Sequence, residues 1–379
     1  MPHSRLLAAA LLCITTAGVA SAAVPIPKPP AIDARALILV DYDSGRVLAE
    51  ANADERMEPA SLTKVMTGYV AFDALREGRL TLTEEVPISE HAWRSEGSRS
   101  FVQVGTRVPV EVLIKGMIVQ SGNDATIAIA ERLGGTEDGF AQMMNAYAKK
   151  LGMTHTHYDN STGLPGATHY TTARDMAILA RAMIRDFPEY YKWYSMREFV
   201  WNNIRQQNRN GLLGRDPSVD GMKTGHTQSA GYCLATSAKR DGMRLVSAVF
   251  GTKSMRARED ASAALLNYGF TFYETVKVKG DGETVLAPRL YKGAEEHVAI
   301  GPRHDVFVTV PRGDAGLVKT TATATEPLIA PADPANAVGE LAVSVGDEVV
   351  ARVPLHPLKA VPEGGWWTRA IDGIALMWR

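Results

Sequence analysis

The stretch EPASLTKVMTGYV carries a serine and a lysine three residues apart, Ser61 and Lys64. Leu62, Val65, Met66, Tyr69 and Val70 recur beside them at helical spacing, which predicts a helix starting near Ser61 with that stripe buried. Residues i and i+3 share a helix face, so the hydroxyl and the amine stand side by side, displaced from the stripe. A serine hydroxyl is a poor nucleophile until a base takes its proton, and an amine one turn away is placed to do so. The same letters also suit a capping serine followed by a surface lysine. Two further motifs bear on that choice. QSGNDA sets Ser121, Gly122 and Asn123 immediately before a helical stretch, and GMKTGHT sets Lys223, Thr224 and Gly225 immediately before a strand hairpin. Each is weak alone.

Together, in this order, the three match the signatures of penicillin-recognising serine acyltransferases. The chemistry explains the grouping. To act as a base Lys64 must be neutral, so burial or the positive charge of Lys223 must lower its pKa. Ser121 can shuttle a proton to the leaving amine, and Asn123 can hold the substrate amide. The Ser61 N–H lies at a helix start, where partial positive charge favours an anionic tetrahedral intermediate. A second N–H, at His226, would complete the oxyanion hole, and a substrate laid along that strand would pair as an added strand. The scheme calls for no metal and no cofactor.

The chain resembles the low-molecular-mass penicillin-binding proteins, the D-alanyl-D-alanine carboxypeptidases of the bacterial cell envelope. The resemblance runs from LILVDYDSG to the last residue and is most specific at PASLTK, SGNDA, TARDMA, NRNGLL, VDGMKTGHT and PEGGWW. It implies removal of the terminal D-alanine from peptidoglycan pentapeptides through an acyl-enzyme on Ser61, and acylation of the same serine by β-lactams. Carried over residue by residue, it marks Ser61, Lys64 and Ser121 as catalytic and Asn123, Lys223, Thr224, Gly225 and His226 as substrate-binding. Arg209 in NRNGLL matches an arginine that helps hold the substrate's terminal carboxylate, a task suited to a permanent cation. Two details depart from the family: Gly214 stands where an aromatic usually follows NGLL, and the Arg209-to-Lys223 loop is about one residue shorter. Asp175 in TARDMA also matches a family position, but an acid at a helix start reads as structural.

The elements that must position these groups follow from pattern. ALILVDYDSGRVLAE reads as a hairpin around Asp43-Ser44-Gly45, several amphipathic helices follow, and GYCLATSAKRDGMRLVSAVFG reads as a second hairpin. Strands at both ends with helices between predict an α+β fold, an antiparallel sheet with helices on both faces, spanning residues 31–275. REDASAALLNYGFTFYE closes it as a helix. From 276 to 361 the runs alternate with period two and no amphipathic helix intervenes, which predicts a small all-β domain.

The two ends speak to location. Residues 1–22 have a basic start, a short apolar core and Ala20-Ser21-Ala22, the pattern of a secretory signal peptide cleaved after Ala22. Residues 23–30, VPIPKPP and its neighbours, read as a proline-rich tether with little reason to pack. Cys13 leaves with the leader and Cys233 remains, in an apolar strand setting, so no intramolecular disulfide is expected. Residues 362–379 form a candidate amphipathic helix with Trp367, Ile371, Ile374, Ala375 and Trp378 on one face. Fourteen helical residues reach about 21 Å, short of the ~30 Å hydrocarbon core, so the helix either lies in the interface with its tryptophans at headgroup depth or docks on its own domain. Two adjacent tryptophans with flanking arginines favour the interface. The expected place is the periplasmic side of the bacterial inner membrane. Formal charge is −1 (41 basic, 42 acidic residues), or −2 once Arg5 is lost with the leader. That near-balance argues against a nucleic-acid partner, which would require a basic stripe.

Two other readings use the same letters. A β-lactamase on this fold would need a second base, and Glu198 with Asn202 supplies the residue types but far from the expected position after Ser121-Gly122-Asn123. A non-catalytic murein-binding or morphology protein would carry a damaged motif, whereas all three here are intact. His155, His157 and His169 cluster in a polar loop without the Cys/His framework or H-E-x-x-H of a zinc site.

Overall fold

The computed structural model describes residues 26–378, so the leader, its cleavage site and Cys13 lie outside the described residues. Strand β1 (Ala36–Asp41), the sequence ALILVD, is buried along its whole length. Successive side chains of a strand point to opposite faces, so such a run needs cover on both sides. It has it. Leu37 and Leu39 join one core, while Ile38 and Val40 join another on the opposite face.

Five strands form the central sheet: β1, β2 (Val47–Ala51), β3 (Val219–Thr227), β4 (Gly231–Arg240) and β5 (Met243–Thr252). Their order is β2-β1-β5-β4-β3 and every pairing is antiparallel. The first and last thirds of the catalytic domain therefore meet at the β1–β5 pair, with Ile38 opposite Ala248. Strand β3 is left at an edge.

Helices cover both faces. On one lies α6 (Met255–Phe272), capped by the Ser254 hydroxyl and burying Leu265 and Leu266 against Leu39, Leu234, Leu245 and Val249. On the other stand α1 (Thr63–Arg76), α2 (Val110–Val119), α3 (Asn123–Gly134), α4 (Glu137–Leu151) and α5 (Ala173–Asp186). Each fully buried Leu, Ile, Val or Met in these cores stabilises the fold by about 1.5–3 kcal/mol. With one free cysteine among the described residues, Cys233, packing carries the fold without a disulfide there.

The second domain is all-β, as expected. Strand β6 (Tyr273–Lys279) pairs with β7 (Val306–Pro311), and β8 (Val318–Ala324), β9 (Gly339–Val345) and β10 (Glu348–Pro357) form an antiparallel sheet with β9 in the middle. Its own core holds Ile300, Val308, Val310, Leu341, Val343 and Leu355. The chain closes with α7 (Trp366–Met377).

Two expectations need correction. Lys223-Thr224-Gly225 does precede the β4–β5 hairpin, but not as a loop: it lies inside strand β3, where those residues pair in register with Ala235, Leu234 and Cys233 of β4. The tether also packs in part: Ile26 lies against the α6 core, and Tyr268 donates its hydroxyl to the Pro27 carbonyl at 3.0 Å.

Candidate active site

Ser61 sits in a single 3-10 turn, Ala60–Leu62, that runs straight into α1. Ala60 takes a positive φ of 48°, an uncommon conformation for alanine that turns the chain sharply into the helix. Lys64, in the first turn of α1, is 1% exposed. Its Nζ lies 3.1 Å from Ser61 Oγ, 2.7 Å from Asn123 Oδ1 and 2.7 Å from the Thr162 carbonyl oxygen.

That surrounding sets the charge of Lys64. Burial, with a smaller contribution from the nearby Arg209 guanidinium, pushes its pKa down to about 7, against the opposing pull of Glu137 and Asp124. A neutral amine has two N–H groups and one lone pair. The two good acceptors, Asn123 Oδ1 and Thr162 O, take the N–H groups, and the lone pair is left facing Ser61 Oγ. The amine is aimed as a base.

Ser121 approaches from the opposite wall, just before α3. Its φ is +66°, and its buried hydroxyl has no protein partner among the described residues. Strain of this kind costs of order 1–3 kcal/mol and is typical of residues held for a task. Asn123, the first residue of α3, donates from Nδ2 to the Glu96 carbonyl at 2.6 Å, and its backbone N–H donates to Ser98 O at 2.7 Å.

The third wall is β3. Gly225 packs so tightly that an added methyl would lie 3.0 Å from Pro59 O and 3.2 Å from Ala60 Cβ, so only glycine lets this edge strand approach the Ser61 turn. Lys223 is buried, donates to the Thr224 carbonyl at 3.1 Å, and is held well below the ordinary lysine range by burial and by Lys64, Arg209 and Arg258. His226 stacks on Tyr232 with ring centroids 4.0 Å apart. Ser61, Ser121, Arg209, Thr224, Gly225 and His226 all line one cleft of about 620 Å³, with Gly97, Ser98, Tyr232, Met255 and Arg258.

Residues 23–254 match the family described as D-alanyl-D-alanine carboxypeptidase. The chain belongs to that family. It is thereby a hydrolase, and residues 273–363 match the C-terminal domain of penicillin-binding protein 5. The D-alanyl-D-alanine carboxypeptidase DacC of Escherichia coli is 43% identical over 357 residues, 92% of this chain and 89% of that protein. Penicillin binding protein 5 from Haemophilus influenzae is 40% identical, with a TM-score of 0.85 over 89% of this chain and 100% of that one. Penicillin-binding protein D2 from Listeria monocytogenes, solved in an ampicillin-bound form, is 30% identical, with a TM-score of 0.59 over 63% of this chain.

Within this carboxypeptidase fold every residue named from sequence as catalytic or substrate-binding lines the cleft or adjoins a residue that does. Arg258 was missed. It is 3% exposed, donates to the Gly225 carbonyl at 3.1 Å and to the Arg209 carbonyl at 3.4 Å, and lies 5.7 Å from the Tyr232 ring centroid. It thus ties Arg209 and β3 together and adds a second cation to the cleft. Its one sequence signal was an arginine on the buried side of α6. The Thr162 carbonyl was missed as well, since a backbone acceptor has no letter.

The other candidates fall away from the cleft. Glu198 pairs with Arg205 on an exposed hairpin formed by Glu198–Trp201 and Ile204–Gln207. Asp175 accepts from the His155 N–H and the Thr156 hydroxyl at the start of α5, a structural task. His155, His157 and His169 take separate partners: Thr154, the Thr168 carbonyl and Thr63. Cys233 is buried in β4 and burial pushes its thiol up to about 11, far from a reactive thiolate.

Proposed function

We propose that this protein removes the terminal D-alanine from peptidoglycan pentapeptides through an acyl-enzyme on Ser61, and that β-lactams acylate the same oxygen. The observation that carries this reading is the buried Lys64 amine 3.1 Å from Ser61 Oγ, its pKa brought down to about 7. Lys64 takes the Ser61 proton as Oγ attacks the penultimate carbonyl, and the resulting ammonium keeps Asn123 Oδ1 and Thr162 O as acceptors. The oxyanion sits between the N–H groups of Ser61 and His226. Ser121 relays that proton from the Lys64 ammonium to the departing D-alanine amine, and the regenerated neutral Lys64 activates the water that releases the shortened peptide and returns the proton to Ser61 Oγ. The substrate backbone pairs along the open edge of β3, with Thr224 lining its path. Its carboxylate meets Arg209, assisted by Lys223 below. Asn123 has one Nδ2 hydrogen beyond the one spent on Glu96 O, and that hydrogen is directed to the substrate amide. No step requires a metal or cofactor.

Release of D-alanine from a synthetic pentapeptide tests this directly. Wild type should turn over, while Ser61→Ala and Lys64→Ala should lose at least about a thousandfold, within the range for nucleophile and base removal. Wild type that fails to release D-alanine and takes no fluorescent penicillin would leave only a binding role. Rapid penicillin hydrolysis would mark a lactamase instead.

The same reading places the protein on the periplasmic face of the inner membrane after export, held through α7. No helix of the described residues is long and apolar enough to cross a membrane. On α7, Trp367, Ile371 and Ile374 are exposed, and Trp378 beyond its end is 89% exposed. The one buried residue, Asp372, accepts from the Lys292 N–H at 2.5 Å and from Arg289 at 3.1 Å. Its acid thus clamps the helix to the β-domain with the apolar face outward, the arrangement an interfacial helix needs.

A further inference from the structure

The carbonyl of Thr162 aims Lys64, yet it belongs to a loop with no regular structure, residues 159–169. Something must hold that loop to α1. Asn160 Oδ1 accepts the Thr162 and Gly163 N–H groups, at 3.1 and 2.8 Å, which shapes the turn from within. The link to α1 next to the reactive groups is a side chain, His169. It is 4% exposed and makes an edge-on contact with the buried Tyr158 ring, centroids 5.7 Å apart. Its Nδ1 accepts the Asp159 N–H at 3.0 Å, so that nitrogen carries no proton. The proton is then on Nε2, which donates to Thr63 Oγ1 at 2.8 Å. Thr63 is fully buried and stands between Ser61 and Lys64 in the chain.

We propose that His169 is a positioning residue for acyl transfer: it ties the start of the 159–169 loop to Thr63 and so fixes the Thr162 carbonyl that aims the Lys64 lone pair at Ser61. The imidazole closes the loop on itself and onto α1 in one contact. The loop meets α1 at two further points, where the Ser161 carbonyl accepts the Thr67 hydroxyl at 2.7 Å and Gly163 packs against Thr63, but His169 is the loop side chain that hydrogen-bonds Thr63 beside the reactive pair. The groups around His169 are Asp159, His157, Glu58 and Glu137, and burial keeps the ring neutral, its pKa pushed down to about 4. It is therefore in its bridging form throughout the range in which Lys64 titrates. This inference rests on Lys64 acting as the base, as proposed above.

The test uses full-length protein and two readouts, penicillin acylation across pH 5.5–9 and D-alanine release. His169→Leu removes both hydrogen bonds. It should lower the acylation rate and kcat by about ten- to hundredfold with KM within about twofold, the scale of misplacing a catalytic group by an ångström. It should also move the acid limb of acylation to lower pH, because an ammonium that has lost the Thr162 carbonyl is less favoured. His169→Gln, whose amide offers both an N–H donor group and a carbonyl acceptor, should recover most of the rate. Thr63→Val should reproduce the Leu effect from the other side and decides the matter if His169→Leu does not fold. A folded His169→Leu or Thr63→Val that acylates at the wild-type rate with an unmoved acid limb overturns the proposal, even if its melting point drops. Failure of wild type itself to acylate would instead remove the reading beneath it.

Discussion

Three oxygens surround Lys64 Nζ, and only one of its protonation states makes use of all three productively. The ammonium would donate to Ser61 Oγ, whereas the amine accepts from it. Neutral Lys64 grows as pH rises, so acylation should rise with pH through about 7, the value to which burial brings this lysine. Arg209 adds to that depression. Removing its charge in Arg209→Gln raises the Lys64 pKa and should carry the acid limb of penicillin acylation to higher pH. Stopped-flow acylation rates from pH 5.5 to 9 decide it; an unmoved limb would mean that Arg209 serves the substrate alone. Sequence already offered burial and Lys223 as the two causes. Which neighbour weighs on Lys64 was not legible, because that depends on side chains from distant segments converging at one point. The reactive residues themselves were legible for the opposite reason: Ser61, Lys64, Ser121, Asn123 and Lys223 each sit in a short local motif.

At the level of elements, the site is assembled where three chain segments are forced into close approach. Gly225 brings β3 against the Ser61 turn, and Gly163 brings the 159–169 loop beneath it. Gly163 has a φ of +87°, and a methyl there would overlap the Ala60 carbonyl oxygen and crowd the Thr63 hydroxyl. Gly163→Ala therefore meets both an unfavourable backbone conformation and an occupied space. It should destabilise the protein by roughly 2 kcal/mol or more and cut acylation by at least about tenfold, measured by urea unfolding and by penicillin labelling of the folded fraction. Wild-type values in both would show that the loop gives way freely and that its fit under Ala60 is incidental. The strands and helices were readable from pattern, as the unbroken apolar run in ALILVD, a strand buried on both faces, shows. The placing of Lys-Thr-Gly inside β3 was not, since its glycine and polar residues resemble a loop until the β4 partner is known. The sheet edge that they form is what leaves room for an added strand.

Across the whole molecule, the catalytic domain and the β-domain meet at the turn between β1 and β2. Ser44 Oγ lies 2.5 Å from Thr309 Oγ1, Arg46 donates to the Thr309 carbonyl at 2.6 Å, and Thr275 donates to the fully buried Asp41 at 2.6 Å. The β-domain in turn holds α7 through Asp372, with Arg369 paired to Glu363 at 2.8 Å beside it. Polar contacts thus run from the central sheet to a helix whose tryptophans face outward. The tail's apolar face was visible in sequence, while the role of Asp372 was not, because its partners lie some 80 residues earlier. If α7 lies in a membrane interface, its exposed side chains supply the affinity. Burying one Trp or Ile is worth about 1.5–3 kcal/mol, so losing one should weaken binding by tenfold or more. Protein ending at Gly365 should stay in the supernatant when spun with vesicles of phosphatidylglycerol and phosphatidylethanolamine, while the full chain pellets and both acylate with penicillin equally. Trp367→Asp and Ile374→Asp should fall between the two. Equal pelleting of full-length and truncated protein would mean that the outward face of α7 meets another surface, and the membrane reading would fail with the catalytic one untouched.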